Sequence, residues 1–164
     1  MARALIVGCG CRGRELGVGL RRDGWEVRGT TRDASAAPAI EAAGIEAAVA
    51  DPLEVGTVFE LIEGVTLVFW LLGSAAGRPG ELEAIHGPRL ERLLERLVDT
   101  PVRGVVYEGA GTVPAAFMDA GARLVREATA RWRIPAAVTE VEPEDLERWR
   151  EEMLAAARHV PFAG

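Results

Sequence analysis

The chain has 164 residues, enough for one domain with a full core and too few for a typical nucleotide domain followed by a separate substrate domain. Its formal net charge of −6, with no block of basic residues, argues against a nucleic-acid partner held through its phosphates. Lys, Asn and Gln are absent and all 19 basic residues are Arg, so no lysine can act as acid, base or Schiff-base former.

Apolar periodicity alternates between two patterns along the chain. Ala4–Val7 reads as a short buried strand, and Arg14–Arg22 as a helix with Gly17 and Gly19 allowing close packing. Trp25–Thr31 alternates as a second strand. Ala34–Ala43 is an Ala-rich helix stopped by Gly44, and Ile45–Ala50 is a third strand. Val55–Ile62 is a short helix ended by Gly64. Thr66–Leu72 is a continuous apolar run, the mark of a strand covered on both faces. A long helix over Glu81–Val98 follows, with Gly87-Pro88 breaking or kinking its first part. Arg103–Tyr107 is a fifth strand, Ala115–Arg131 a helix, Ile134–Val141 a sixth strand. Pro143 suits the opening of a last helix, and the tail His159–Gly164 is expected to fray.

Six strands alternating with helices predict an α/β fold: a doubly wound, mostly parallel sheet with helices on both faces, one domain over residues 1–164. Right-handed crossovers and a glycine loop after the first strand favour the Rossmann order 3-2-1-4-5-6. Neither Ala4–Val7 nor Thr66–Leu72 has the length of a signal-peptide core or a bilayer span, so a cytoplasmic protein with no membrane partner is expected.

The stretch "GCGCRG" carries the main functional signal. Gly8 permits a tight turn out of the first strand, Gly10 lets the backbone approach a pyrophosphate, and Gly13 lets the helix pack close. The helix start then offers unpaired N–H groups and the positive end of its dipole to an anion. The motif follows a strand, opens a helix and precedes a second strand, which is the context it requires. At the end of the second strand an acidic residue would bond both ribose hydroxyls and favour NAD. This chain reads Thr31-Arg32-Asp33, where a hydroxyl and a guanidinium can hold a 2′-phosphate. Arg12 is a candidate for the same phosphate. The pattern favours NADP, with NAD as the alternative.

"LIVGCGCRGRELGVGLRRDGWEVRGTTRD", Leu5 to Asp33, resembles the opening of atypical and extended short-chain dehydrogenase/reductases, the NAD-dependent epimerase-like branch. The likeness continues in "VAD", where Asp51 matches the aspartate that bonds the adenine amino group in that family, with Pro52 and Leu53 beside the ring. It continues in "TLVFWLLGSAAG", which places Leu72, Gly73 and Ser74 against the ribose and nicotinamide side. The implied cofactor-binding set is Gly8, Gly10, Cys11, Arg12, Gly13, Thr31, Arg32, Asp51, Leu72 and Gly73.

The departures fall on catalysis. Where the family's fifth strand ends in Ser or Thr, this chain has Glu108-Gly109. The family's Tyr-x-x-x-Lys pair, in which the lysine charge lowers the tyrosine pKa, has no counterpart. The only tyrosine, Tyr107, lies inside the fifth strand, and position 111 is Gly. The family's C-terminal substrate lobe is also expected to be missing. Glu108 and Thr112 are the remaining candidates for chemistry, Glu108 either as a general base or as a solvated carboxylate in an open cleft. His86, in "IHGP", reads as a surface or cap residue. Cys9 and Cys11 make no disulfide framework and too small a ligand set for a metal, and pack in a tight turn or serve redox chemistry. Trp25, close in sequence to the loop, is the expected fluorescent reporter.

Three readings follow: a dinucleotide-binding protein without the catalytic pair, serving as a sensor, regulatory or partner-dependent component; an NADPH-dependent oxidoreductase with unconventional groups; and an interaction module with an empty site. Rows of Leu and Ala on the helices after strands four and five suggest a homodimer by analogy with relatives of this fold. Composition and spacing name no small-molecule substrate.

Overall fold

The computed structural model describes residues 2–163. The strands are β1 (Arg3–Val7), β2 (Glu26–Thr31), β3 (Glu46–Val49), β4 (Leu67–Trp70), β5 (Gly104–Glu108) and β6 (Ala136–Thr139). They form one six-stranded sheet in the order β3-β2-β1-β4-β5-β6, and every pairing is parallel. The order reverses between β1 and β4, which opens a crevice beyond their carboxyl ends.

Side chains along each strand alternate between two cores. Leu5, Val7, Val68, Trp70, Val105 and Tyr107 face one layer, made by α3 (Val55–Phe59), α4 (Pro79–Ile85), α5 (Pro88–Leu97) and α6 (Ala115–Trp132). Ala4, Ile6, Leu67, Phe69 and Val106 face the other, made by α1 (Cys11–Arg22), α2 (Ala37–Ala42) and α7 (Leu146–His159). The central strands carry an apolar residue at nearly every position because both faces are covered.

The last helix therefore returns to lie on the first. Trp149, Met153 and Ala157 are its buried face. Ion pairs Arg150–Glu15 at 3.5 Å and Arg158–Asp23 at 2.9 Å flank the contact. Exposed pairs of this kind are worth about 0–1 kcal/mol each, so apolar burial does most of the holding.

Several boundaries differ from the sequence reading. Helix α1 begins at Cys11, three residues earlier than the apolar stripe suggests, because the glycine loop starts it without any capping side chain. Gly87-Pro88 divides the expected long helix completely: α4 ends with His86 as its C-cap, and α5 restarts at Pro88. Pro143 does not open the last helix. It lies in a turn, and the Asp145 carboxylate caps α7 by accepting from the Arg148 amide. The tail is not frayed as far as Ala163: Val160–Phe162 form a 3-10 turn in which Val160 and Pro161 are buried. Gly164 lies outside the described residues. The leucines that suggest a dimer surface, Leu90, Leu93, Leu94 and Leu97, face the chain's own core, while Arg89, Glu91, Arg92 and Glu95 face outward.

A Cβ on Gly29 would stand 2.5 Å from the Cys9 sulfur and 2.7 Å from its Cβ, under the glycine loop. Gly29→Ala is expected to lose about 1–3 kcal/mol of stability by overpacking, read as a lower urea midpoint at unchanged slope.

Candidate functional site

The turn from β1 to α1 is pinned to β2 and pressed against the segment after β4. Thr30 accepts the Cys9 amide at its carbonyl (2.9 Å) and the Gly8 amide at its hydroxyl (3.1 Å). Gly8 adopts φ +88°, and a Cβ there would strike the Leu71 carbonyl, so only glycine serves. Arg14 makes the first helical bond, to the Gly10 carbonyl (2.9 Å). The amides of Cys11, Arg12 and Gly13 precede it and take no protein partner among the described residues.

These amides face a cavity of about 400 Å³ at the carboxyl edge of the sheet. Its wall includes nine of the ten residues expected to bind a cofactor: Gly8, Gly10, Cys11, Arg12, Gly13, Thr31, Arg32, Asp51 and Leu72. Gly73 is not part of the wall; its amide is bonded to Glu108, which is. Thr112 is exposed and lies outside the cavity, its amide bonded to the Ser74 hydroxyl at 3.3 Å.

One half of the wall comes from the ends of β2 and β3. The Arg32 guanidinium crosses the mouth to donate to the Ala76 carbonyl (3.1 Å), bridging β2 to the loop after β4. The Asp33 carboxylate instead caps the next turn through the Ser35 amide (2.9 Å), and the residue is no part of the wall. Asp51 folds its own loop, accepting from the Leu53 amide through Oδ1 (2.9 Å). Glu81 holds the Arg78 amide (3.0 Å), a bond that sets its carboxyl below the usual value, with the Arg32 charge contributing less.

The other half comes from the ends of β4 and β5 and from α7. Glu108 is neither solvated nor free. It is 2% exposed, with Oε1 accepting from the Gly73 amide (2.9 Å) and Oε2 from the Trp149 indole (2.8 Å). Burial pushes its carboxyl above the ordinary range; those two hydrogen bonds and the Arg12 charge oppose the shift without cancelling it. The Arg12 Nε is buried without a partner among the described residues. Sequence spacing gives no sign of Trp149 here, yet its indole is the one that lines the cavity. Trp25 precedes β2 at the opposite edge of the sheet, roughly 20 Å of strand away, so closeness in sequence misplaces it.

The two cysteines have separate surroundings. Cys9 is buried beneath Gly29, and burial pushes its thiol up to about 12, a packing residue with no accessible thiolate. Cys11 is exposed on the cavity wall. Among the described residues no group of acidic, His and Cys side chains could hold a metal ion, and no helix is long and apolar enough to cross a membrane.

His86 is fully buried rather than at the surface. Its Nε2 is 2.9 Å from the Leu72 carbonyl and its Nδ1 is 2.6 Å from the Tyr107 hydroxyl. Burial holds the imidazole pKa down, which favours the neutral ring. The carbonyl can only accept, which puts the proton on Nε2 and leaves Nδ1 to accept from the tyrosine. Burial also raises the Tyr107 pKa, and the phenol lies outside the cavity wall. The single tyrosine is a fully buried core residue.

No family model matches the chain, and no curated protein matches it in sequence. Solved structures do match in fold. A short-chain dehydrogenase/reductase superfamily protein from Agrobacterium tumefaciens with bound NAD aligns at TM-score 0.67 and 20% identity, covering 83% of this chain and 48% of that one. UDP-glucuronic acid 4-epimerase from Bacillus cereus, in complex with NAD, aligns at 0.63 and 13%, covering 83% and 55%. A functionally unknown conserved protein from Silicibacter pomeroyi aligns at 0.62 and 19%, covering 96% and 68%. The chain thus spans about half the length of the first two. Together with the sheet order, these likenesses define the class: an α/β protein with the Rossmann fold, as the sequence leads one to expect.

Two measurements check this geometry. Among the described residues a Cβ on Gly10 meets nothing within 4 Å, and it would stand on the cavity wall that Gly10 shares with Cys11, Arg12 and Gly13. Gly10→Ala is therefore expected to keep the wild-type melting temperature while narrowing the cavity at the helix start, so that pyrophosphate, the anion probe, binds at least tenfold more weakly than to wild type by calorimetry; equal binding would show that the amides do not face an anion site. Glu108, with its folded pKa raised, stabilises the fold most below the ordinary carboxylate pKa, and that contribution is lost as pH rises through the folded value. Urea unfolding of wild type against Glu108→Gln should show the wild-type advantage shrinking from pH 4 upward.

Proposed function

We propose that this chain binds a nicotinamide dinucleotide, NADP(H) in preference to NAD(H), on the scaffold of the epimerase-like short-chain dehydrogenases, and that it lacks their proton-shuttling pair. The observation that carries the reading is the row of unpartnered amides at Cys11, Arg12 and Gly13 facing the cavity. The residues fit the group. Open space lies in front of Gly10, and the buried, orphaned Arg12 Nε would gain an acceptor in a diphosphate. A bound dinucleotide of this class would supply a site for hydride transfer.

Thr31 and Arg32 line the cavity at the end of β2, which supports the preference: Arg32 would exchange its carbonyl partner for a 2′-phosphate. Asp33, the nearest acid, is committed to its cap, which favours NADP. Asp51 keeps one carboxylate oxygen for the adenine amino group. The absence of lysine and the burial of Tyr107 leave nothing in the wall to repeat the family's acid–base step. The role that fits is therefore binding, as a sensor, regulatory or partner-dependent component. The second reading, an oxidoreductase with unconventional groups, draws on Glu108, the one wall carboxylate on the far side of the helix start; both of its oxygens are already engaged.

Titration by tryptophan fluorescence tests the assignment, with Trp149→Phe removing the expected quenching. Arg32→Ala should weaken NADPH about 10–100-fold, the loss of a charged hydrogen bond, and leave NADH within twofold. Equal loss for both nucleotides would refute the 2′-phosphate assignment.

A further inference from the structure

We infer that Glu108 makes this cavity selective for the redox state of its dinucleotide, favouring the oxidised, cationic ring over the reduced, neutral one. The inference rests on the dinucleotide reading above. With the diphosphate on the α1 amides, the two halves of the ligand lie to either side. The side bearing Thr31, Arg32 and Asp51 is taken by the 2′-phosphorylated adenosine. The ring half is left with the wall formed by Leu72, Glu108 and Trp149.

Charge is unevenly distributed between these halves. Three carboxylates contribute to the wall: Asp51, Glu81 and Glu108. Asp51 belongs to the adenosine side, and Glu81 is held by Arg78 within the field of Arg32. Glu108 stands alone on the ring side, and its position is rigid. It is clamped between the Gly73 amide and the Trp149 indole, two neutral donors that stabilise its charge without cancelling it. Arg12 is the cation near it, and a bound diphosphate would engage that cation. A carboxylate buried in low-dielectric surroundings acts on a ring charge far more strongly than it would in water. Burial works against the ionised carboxylate, the Gly73 and Trp149 bonds work for it, and a cationic ring would add to the latter, so ligand charge and Glu108 charge reinforce one another.

The test is calorimetric titration of the full chain at pH 8 with NADP+, NADPH and 2′,5′-ADP, for wild type and Glu108→Gln. Wild type should bind NADP+ at least tenfold tighter than NADPH. The variant should bring the two within about twofold and leave 2′,5′-ADP unchanged, since that ligand has no ring half. Should the variant not fold, wild type alone decides by comparing NAD+ with benzamide adenine dinucleotide, whose carbon-linked ring keeps the shape without the charge. NAD+ should again bind at least tenfold tighter. Equal affinities for the oxidised and reduced forms, or for NAD+ and its uncharged isostere, would overturn the inference and leave the dinucleotide reading standing. Failure of 2′,5′-ADP and both dinucleotides to bind would overturn both.

Discussion

The close approach of the β1–α1 turn to the end of β4 is the constraint on which the site depends. Gly8 lies against the Leu71 carbonyl in a conformation that favours glycine, and Thr30 holds the turn from the other side with both its carbonyl and its hydroxyl. Because the turn is held on two strands, α1 starts at a fixed place and its first amides open onto the crevice where the strand order reverses. The helix start is therefore shaped for an anion by backbone geometry, with no side-chain cap competing for those donors.

Around that start the cavity has two unlike walls. On the β2–β3 side the polar groups are exposed or fold their own loops: Arg32 on Ala76, Asp33 on Ser35, Asp51 on Leu53. Such groups can change partner at little cost. On the β4–β5 side the polar groups are buried and mutually satisfied. Glu108 is held between Gly73 and Trp149, and His86 between Leu72 and Tyr107. Leu72 and Gly73 thus join two buried networks on opposite faces of the sheet, which makes this wall stiff. In the proposed complex the adaptable wall would take the charged nucleotide end and the rigid wall the ring.

The sheet order and the glycine loop are legible in the sequence because they are written in local pattern: continuous apolar strands, alternating periods, and three glycines at the right spacing between a strand and a helix. What is not legible is what distant residues supply. The burial of Glu108 depends on Trp149, 41 positions downstream on a helix that crosses back over the sheet. The burial of His86 depends on Tyr107, 21 positions away. A lone carboxylate at a strand end and a lone histidine before Gly-Pro carry no local mark of such partners. Trp25 shows the reverse error, since a neighbour in sequence lies at the far end of a strand. Apolar spacing sets the start of α1 three residues late because glycine, not a capping side chain, begins it.

The most direct measurement of the central claim is the amide spectrum of the isotopically labelled chain during addition of NADPH. Binding at the start of α1 predicts that the largest shifts fall on the amides of Cys11, Arg12 and Gly13, saturating with one ligand per chain. A spectrum in which those three amides stay in place at saturating nucleotide would contradict it.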